Sequence, residues 1–81
     1  MTLTVRIYHA PGCHLCDTAL GVIERVRVEI PFELEEVDIS GDERLERAYR
    51  ERIPVVEIGG EEEFTSFVHP DALRRRLRPR G

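Results

Sequence analysis

Leu3-Thr4-Val5-Arg6-Ile7-Tyr8, His9-Ala10-Pro11-Gly12 and Cys13-His14-Leu15-Cys16 follow one another without a gap, and the periodicity of the chain changes twice within them. Leu3, Val5 and Ile7 alternate with Thr4, Arg6 and Tyr8, the two-residue period of a strand with one face on a core. His9-Ala10-Pro11-Gly12 then breaks the pattern with two turn-forming residues. From Cys16 onward apolar side chains return at Ala19, Leu20, Ile23 and Val26, which is helical spacing, with Gly21 weakening the helix slightly. A strand that passes through a short break into a helix leaves Cys13 at the helix start and Cys16 one turn further along the same face.

The rest of the chain repeats this alternation of elements. Pro31 closes the first helix, and Phe32 to Ile39 reads as a second strand with a phase slip between Leu34 and Val37. Ser40-Gly41-Asp42-Glu43 offers a capping-box pattern ahead of a short helix whose apolar stripe is Leu45, Ala48 and Tyr49. That helix must end before Ile53-Pro54, because a residue preceding proline prefers extended backbone. Val55-Val56-Glu57-Ile58, the turn Gly59-Gly60 and Phe64-Thr65-Ser66-Phe67 predict a hairpin, with Glu61, Glu62 and Glu63 as a solvated edge. Pro70 suits the first turn of a last helix carried by Leu73 and Leu77. The expected class is α/β, in the order β-α-β-α-β-β-α. The first connection is a right-handed crossover between parallel strands and the last a tight antiparallel hairpin, giving a mixed four-stranded sheet flanked by three helices.

The chain has 81 residues, enough for one hydrophobic core, so a single domain over residues 1–81 is expected. An apolar fraction of 41% supports that core, and the 35% charged residues mix both signs. A formal charge of -4 argues against a nucleic-acid partner, which would need a positive field. Arg74, Arg75, Arg76, Arg78 and Arg80 crowd the C-terminus, where cations complement the end of a helix and are otherwise solvated. No stretch is apolar enough for a membrane span, and Met1 to Arg6 lacks the basic-then-apolar pattern of a secretory leader. Two cysteines at Cys-x-x-Cys spacing suit a reactive dithiol in a reducing cytoplasm better than a structural disulfide framework, so a cytoplasmic address is expected.

A thiolate, not a thiol, attacks a disulfide, and a helix N-terminus favours the thiolate through unpaired amide hydrogens and the helix dipole. Cys13 is therefore the expected attacking sulfur and Cys16 the resolving one. A protonated His14 would favour the Cys13 thiolate further, while Asp17 suits the first helical turn. No resident cofactor is required. The rival reading of the same spacing is a metal-binding or metal-delivery module, in which His9, His14 or His69 completes a tetrahedral site with Cys13 and Cys16.

Tyr8 five residues before Cys13, and Ile53-Pro54-Val55-Val56 further on, resemble the glutaredoxin branch of the thioredoxin superfamily. Gly12-Cys13-His14-Leu15-Cys16-Asp17 followed by Arg52-Ile53-Pro54-Val55 is more similar still to a bacterial glutaredoxin-like family. The resemblance implies a thioredoxin-like fold and thiol-disulfide exchange with a disulfide-containing protein or a small thiol, carried out by a monomer. It also implies a cis Ile53–Pro54 bond facing the dithiol, with Tyr8, Ile53 and Pro54 at the substrate. Two departures bear on glutathione as a co-substrate. Ala10 stands where many glutaredoxins carry a cation three residues before the first cysteine, and Val68-His69-Pro70-Asp71 replaces their Gly-Gly-x-Asp loop. Proline has no amide hydrogen to donate. Arg50 and Arg52 are the candidate replacement cations, and weak glutathione use is expected.

Overall fold

The computed structural model describes residues 3–78 and runs β1 (Thr4–His9), α1 (His14–Glu29), β2 (Glu33–Asp38), α2 (Glu43–Tyr49), β3 (Val55–Ile58), β4 (Glu61–Thr65) and α3 (Pro70–Leu77). Arg80 of the C-terminal basic cluster lies outside the described residues. The strand order is β2-β1-β3-β4. β1 pairs parallel with β2, Val5 opposite Leu34, and antiparallel with β3, Ile7 opposite Val56. β3 and β4 pair antiparallel through Gly59 (φ 60°) and Gly60 (φ 88°), the two positive φ angles that a two-residue hairpin turn requires. The expected mixed four-stranded sheet with three helices is the one formed.

Both faces of the sheet are covered, whereas the alternation in β1 alone predicts one core-facing side. Val5, Ile7, Val56 and Ile58 lie on one face and pack with Ala19, Ile23 and Val26 of α1 and Leu73 and Leu77 of α3. Tyr8, Ile39 and Val55 lie on the other, beneath Leu45 and Tyr49 of α2. Residues of opposite parity on a strand point to opposite faces. Leu34 therefore joins the α1–α3 core and Val37 the α2 cluster, and the apparent phase slip in the second strand is a strand serving two cores. Leu3, expected in the strand, precedes it and is exposed.

Two further expectations change. Asp42, not Ser40, caps α2: its Oδ1 accepts from the Arg44 and Leu45 amides at 3.0 and 3.1 Å. The Ser40 amide instead donates to Asp38 Oδ1 at 2.8 Å, which holds the Asp38 carboxyl below the usual range. Strand β4 starts at the glutamate run and continues through the expected Phe64 and Thr65, with a bulge opposite Val56–Glu57, while Ser66 and Phe67 lie beyond it in the connection to α3. Tight two-residue turn geometry forces pairing to begin directly after Gly60, whatever the residues there prefer.

Helix α3 is held by more than Leu73 and Leu77. Arg74 reaches Glu29 at the end of α1 at 2.8 Å and Asp71 at 3.0 Å. The guanidinium holds the Glu29 carboxyl below its ordinary range, and Glu29 in turn raises Arg74. Arg76 pairs with Glu63 of β4. Part of the basic cluster is thus neutralised within the fold. No helix among the described residues is long and apolar enough to cross a membrane.

Gly21 lies inside α1 with nothing within 4 Å of the position a Cβ would occupy. Gly21→Ala should therefore stabilise the protein, by about 0.5–1 kcal/mol in a denaturant titration, because the folded state gains helix propensity without a clash. An unchanged or lowered midpoint would show that the glycine has another role.

Candidate active site

The break between β1 and α1 is a tight turn: the Cys13 amide donates to Ala10 O at 3.3 Å, and Gly12 takes a φ of 78°, which a side chain would resist. The turn delivers Cys13 in extended backbone as the N-cap of α1. The Cys13 sulfur accepts a hydrogen bond from the Cys16 amide at 3.1 Å, the place an N-cap oxygen usually takes, and the Asp17 amide closes the first helical bond onto Cys13 O at 3.1 Å. Cys13 and Cys16 form a disulfide with their Cα atoms 5.2 Å apart.

Exposure separates the two sulfurs. Cys16 is 1% exposed because it continues the inward stripe of Ala19, Ile23 and Val26, while Cys13 is half-buried at the surface. His14 and Leu15 between them are exposed.

The Ile53–Pro54 bond is cis, as the resemblance implied. Pro54 is fully buried, and Ile53 packs in the α2 cluster with Tyr8 and Ala10. Through that cluster the proline loop and the turn before Cys13 share one packing unit. Tyr8 is itself turned under α2: its ring stacks on Tyr49 with centroids 4.2 Å apart, and its hydroxyl donates to Glu57 Oε2 at 3.4 Å. Burial, and then the contact with Tyr8, push the Tyr49 phenol up from its ordinary value.

The three histidines do not gather around the dithiol. His9 faces Glu36 at 4.0 Å, His69 lies against Phe67, and His14 is exposed on the first turn of α1. Among the described residues no three His, Cys, Asp or Glu side chains converge as a metal site would need.

One part of the site was not visible in the sequence. A groove of about 210 Å³ runs between α1 and the connection from β4 to α3, lined by Leu15, Thr18, Val22, Phe67, Val68 and Pro70. Leu15 and Phe67 stay 50% and 56% exposed, which is unusual for side chains of their size. The helical phase of Leu15, off the buried stripe yet between the cysteines, was the available signal. Phe67, by contrast, looked like a strand residue.

The family model of the glutaredoxin-like domain (DUF836) matches residues 4–78. The solution structure of protein Ne2328 from Nitrosomonas europaea superposes with a TM-score of 0.82 at 29% identity, over 96% of this chain and 94% of that one. The crystal structure of protein XcR50 from X. campestris gives a TM-score of 0.76 at 30% identity, over 90% and 93%. A thioredoxin from Halobacterium salinarum is similar in fold, with a TM-score of 0.64 at 21% identity over 93% and 71% of the two chains. No curated protein matches.

In the reduced protein, limiting iodoacetamide at neutral pH should label Cys13 well before Cys16, since only Cys13 is both accessible and at the helix start. Peptide mapping reads the order, and prior labelling of Cys16 would reverse the two roles.

Proposed function

The chain belongs to the glutaredoxin-like domain family, and from that premise we propose that it is a thiol-disulfide oxidoreductase in which Cys13 attacks and Cys16 resolves. The observation that carries this reading is the Cys16 amide on the Cys13 sulfur at 3.1 Å. The same donor that caps the helix is available to a thiolate, and a charged acceptor strengthens such a bond.

The exchange balances as two displacements. The Cys13 thiolate attacks one sulfur of the substrate disulfide, that S–S bond breaks, and the departing thiolate takes up a proton. Cys16 then loses its proton and attacks the Cys13 sulfur, so the mixed disulfide breaks and the second substrate thiolate leaves. The substrate gains two electrons and the protein loses two, ending with the Cys13–Cys16 bond; an external dithiol restores the reduced form. Burial of Cys16 suits the second step, because a sheltered thiol meets the mixed disulfide at its own neighbour and not a free disulfide in solution.

A protein disulfide fits the surroundings better than glutathione does. Ile53 makes no backbone hydrogen bond among the described residues, so its amide and carbonyl are free to pair with an extended substrate segment. The groove beyond Leu15 has no charged side chain in its lining and suits apolar residues next to a substrate cysteine. Glutathione carries two carboxylates. Ala10 supplies no cation and Pro70 no amide hydrogen, and Arg52 is already paired with Glu62 at 2.9 Å. Acidic strands at both edges of the sheet, Glu33, Glu35 and Glu36 on β2 and Glu61 and Glu62 on β4, oppose edge-to-edge pairing and favour a monomer.

Replacing Cys16 by Ser should trap a mixed disulfide with a peptide disulfide through Cys13, seen as a mass adduct that a reductant removes, whereas Cys13→Ser should trap nothing. Equal trapping by both variants would overturn the attack-and-resolve order. Titration of the unaltered protein against redox buffers should give a reversible two-electron couple. In calorimetry, glutathione should bind the reduced protein at least about a hundredfold more weakly than a site with the two missing contacts intact, each charge-assisted bond contributing about 1.5–3 kcal/mol. Tight binding with rapid turnover of a glutathione mixed disulfide would show that other groups replace them.

A further inference from the structure

One side chain ties the loop before Pro54 to two other elements. Arg52 Nη1 pairs with Glu62 Oε2 on β4 at 2.9 Å, and Nη2 donates to Ala48 O in α2 at 3.2 Å. The guanidinium carbon lies 5.3 Å from the centroid of the Tyr49 ring, which is the ring stacked on Tyr8. The main chain adds to this. The Arg52 amide donates to Tyr49 O at 2.8 Å, and the Ser66 amide donates both to Pro54 O at 2.8 Å and to Arg52 O at 3.3 Å. The residues on either side of Ile53 are therefore fixed, while the amide and carbonyl of Ile53 are left free.

We infer that Arg52 is a positioning residue, which preorganises the Ile53 backbone to receive an extended substrate segment. The inference rests on the oxidoreductase reading and deepens it. Both members of the Arg52–Glu62 pair are more than two-fifths exposed, at 44% and 42%, so as an isolated ion pair it contributes little to stability. What the arrangement supplies is geometry: a planar fork reaches a carboxylate, a carbonyl and an aromatic face together, which a lysine ammonium does not. A loop already ordered when substrate arrives spares the ordering cost of binding, and that saving appears in the concentration dependence of the reaction and not in its limiting rate.

The test is the single-turnover reaction of the reduced protein with a fluorogenic peptide disulfide, followed over a range of peptide concentrations. Arg52→Ala should raise the half-saturating concentration about three- to tenfold, with the limiting rate and the iodoacetamide reactivity of Cys13 within about twofold of the unaltered protein. Arg52→Lys should recover part of the loss, and Glu62→Gln should shift the same quantity in the same direction by less. The Ile53 amide resonance should broaden in the Arg52→Ala protein. If that variant does not fold, Arg52→Lys and Glu62→Gln carry the test on the same readings. Unchanged half-saturation in the folded variants, or a loss confined to the limiting rate together with Cys13 alkylation, would overturn the inference. An unaltered protein that fails to reduce the peptide would instead remove the oxidoreductase reading and this inference with it, a result distinct from an active protein whose variants behave alike.

Discussion

The hydrogen bond from the Cys16 amide to the Cys13 sulfur joins secondary structure to chemistry. It closes the first turn of α1 on a side chain that must also be reactive. Everything upstream serves to bring Cys13 there: β1 ends at His9, Gly12 takes a conformation that other residues avoid, and Cys13 keeps the extended backbone of an N-cap just before the helix begins at His14. Downstream, the phase of α1 follows from the same start. Cys16 lies three residues after the cap on the stripe that continues through Ala19, Ile23 and Val26 into the main core. One sulfur is buried and one accessible because Cys16 lies on the apolar face of α1 that must meet the sheet, whereas Cys13 stands ahead of the helix as its cap, half-buried at the surface.

The opposite face of the sheet works differently. Helix α2 has no fully buried residue and is held over the sheet by the Tyr8–Tyr49 stack, Leu45 and polar contacts. Arg6 bridges Glu35 on β2 and Glu57 on β3, and its guanidinium is raised first by the hydrogen bond to Glu35. Glu57 also accepts from Tyr8. All twelve basic residues of the chain are arginine, and here the multi-donor fork is used repeatedly to link strands that carry an excess of carboxylates. The Ile53–Pro54 loop hangs from this polar layer. The two halves of the site are consequently supported on opposite faces of the sheet, Cys16 by the packing of α1 and the proline loop by the α2 cluster, where stacking and charge add to apolar contacts.

Much of this was legible from local rules. The order of elements, the helix start at Cys13, the unequal burial of Cys13 and Cys16, the Gly59–Gly60 turn and the α3 face of Leu73 and Leu77 all follow from periodicities and turn chemistry within a few residues of each other. Where the reading went astray, a long-range constraint had won. Leu34 and Val37 looked out of phase only because a second core under α2 was not foreseen. The run Glu61–Glu63 became a strand because the hairpin turn dictates pairing, overriding the low strand preference of glutamate.

By itself the sequence determined which sulfur stands at the helix start and which faces the core, since both depend on the spacing of residues along one short segment. Only the tertiary structure decided which side chains of different elements meet. The groove between Leu15 and Phe67, the stacking of Tyr8 on Tyr49 and the Arg52–Glu62 pair join residues on different elements. Their meeting depends on strand register, a bulge opposite Val56–Glu57 and the helix placement that follows. A one-residue change in register would reverse the face of every side chain on a strand, so such contacts cannot be read from local spacing, which constrains neighbours along the chain and leaves partners across the sheet undetermined.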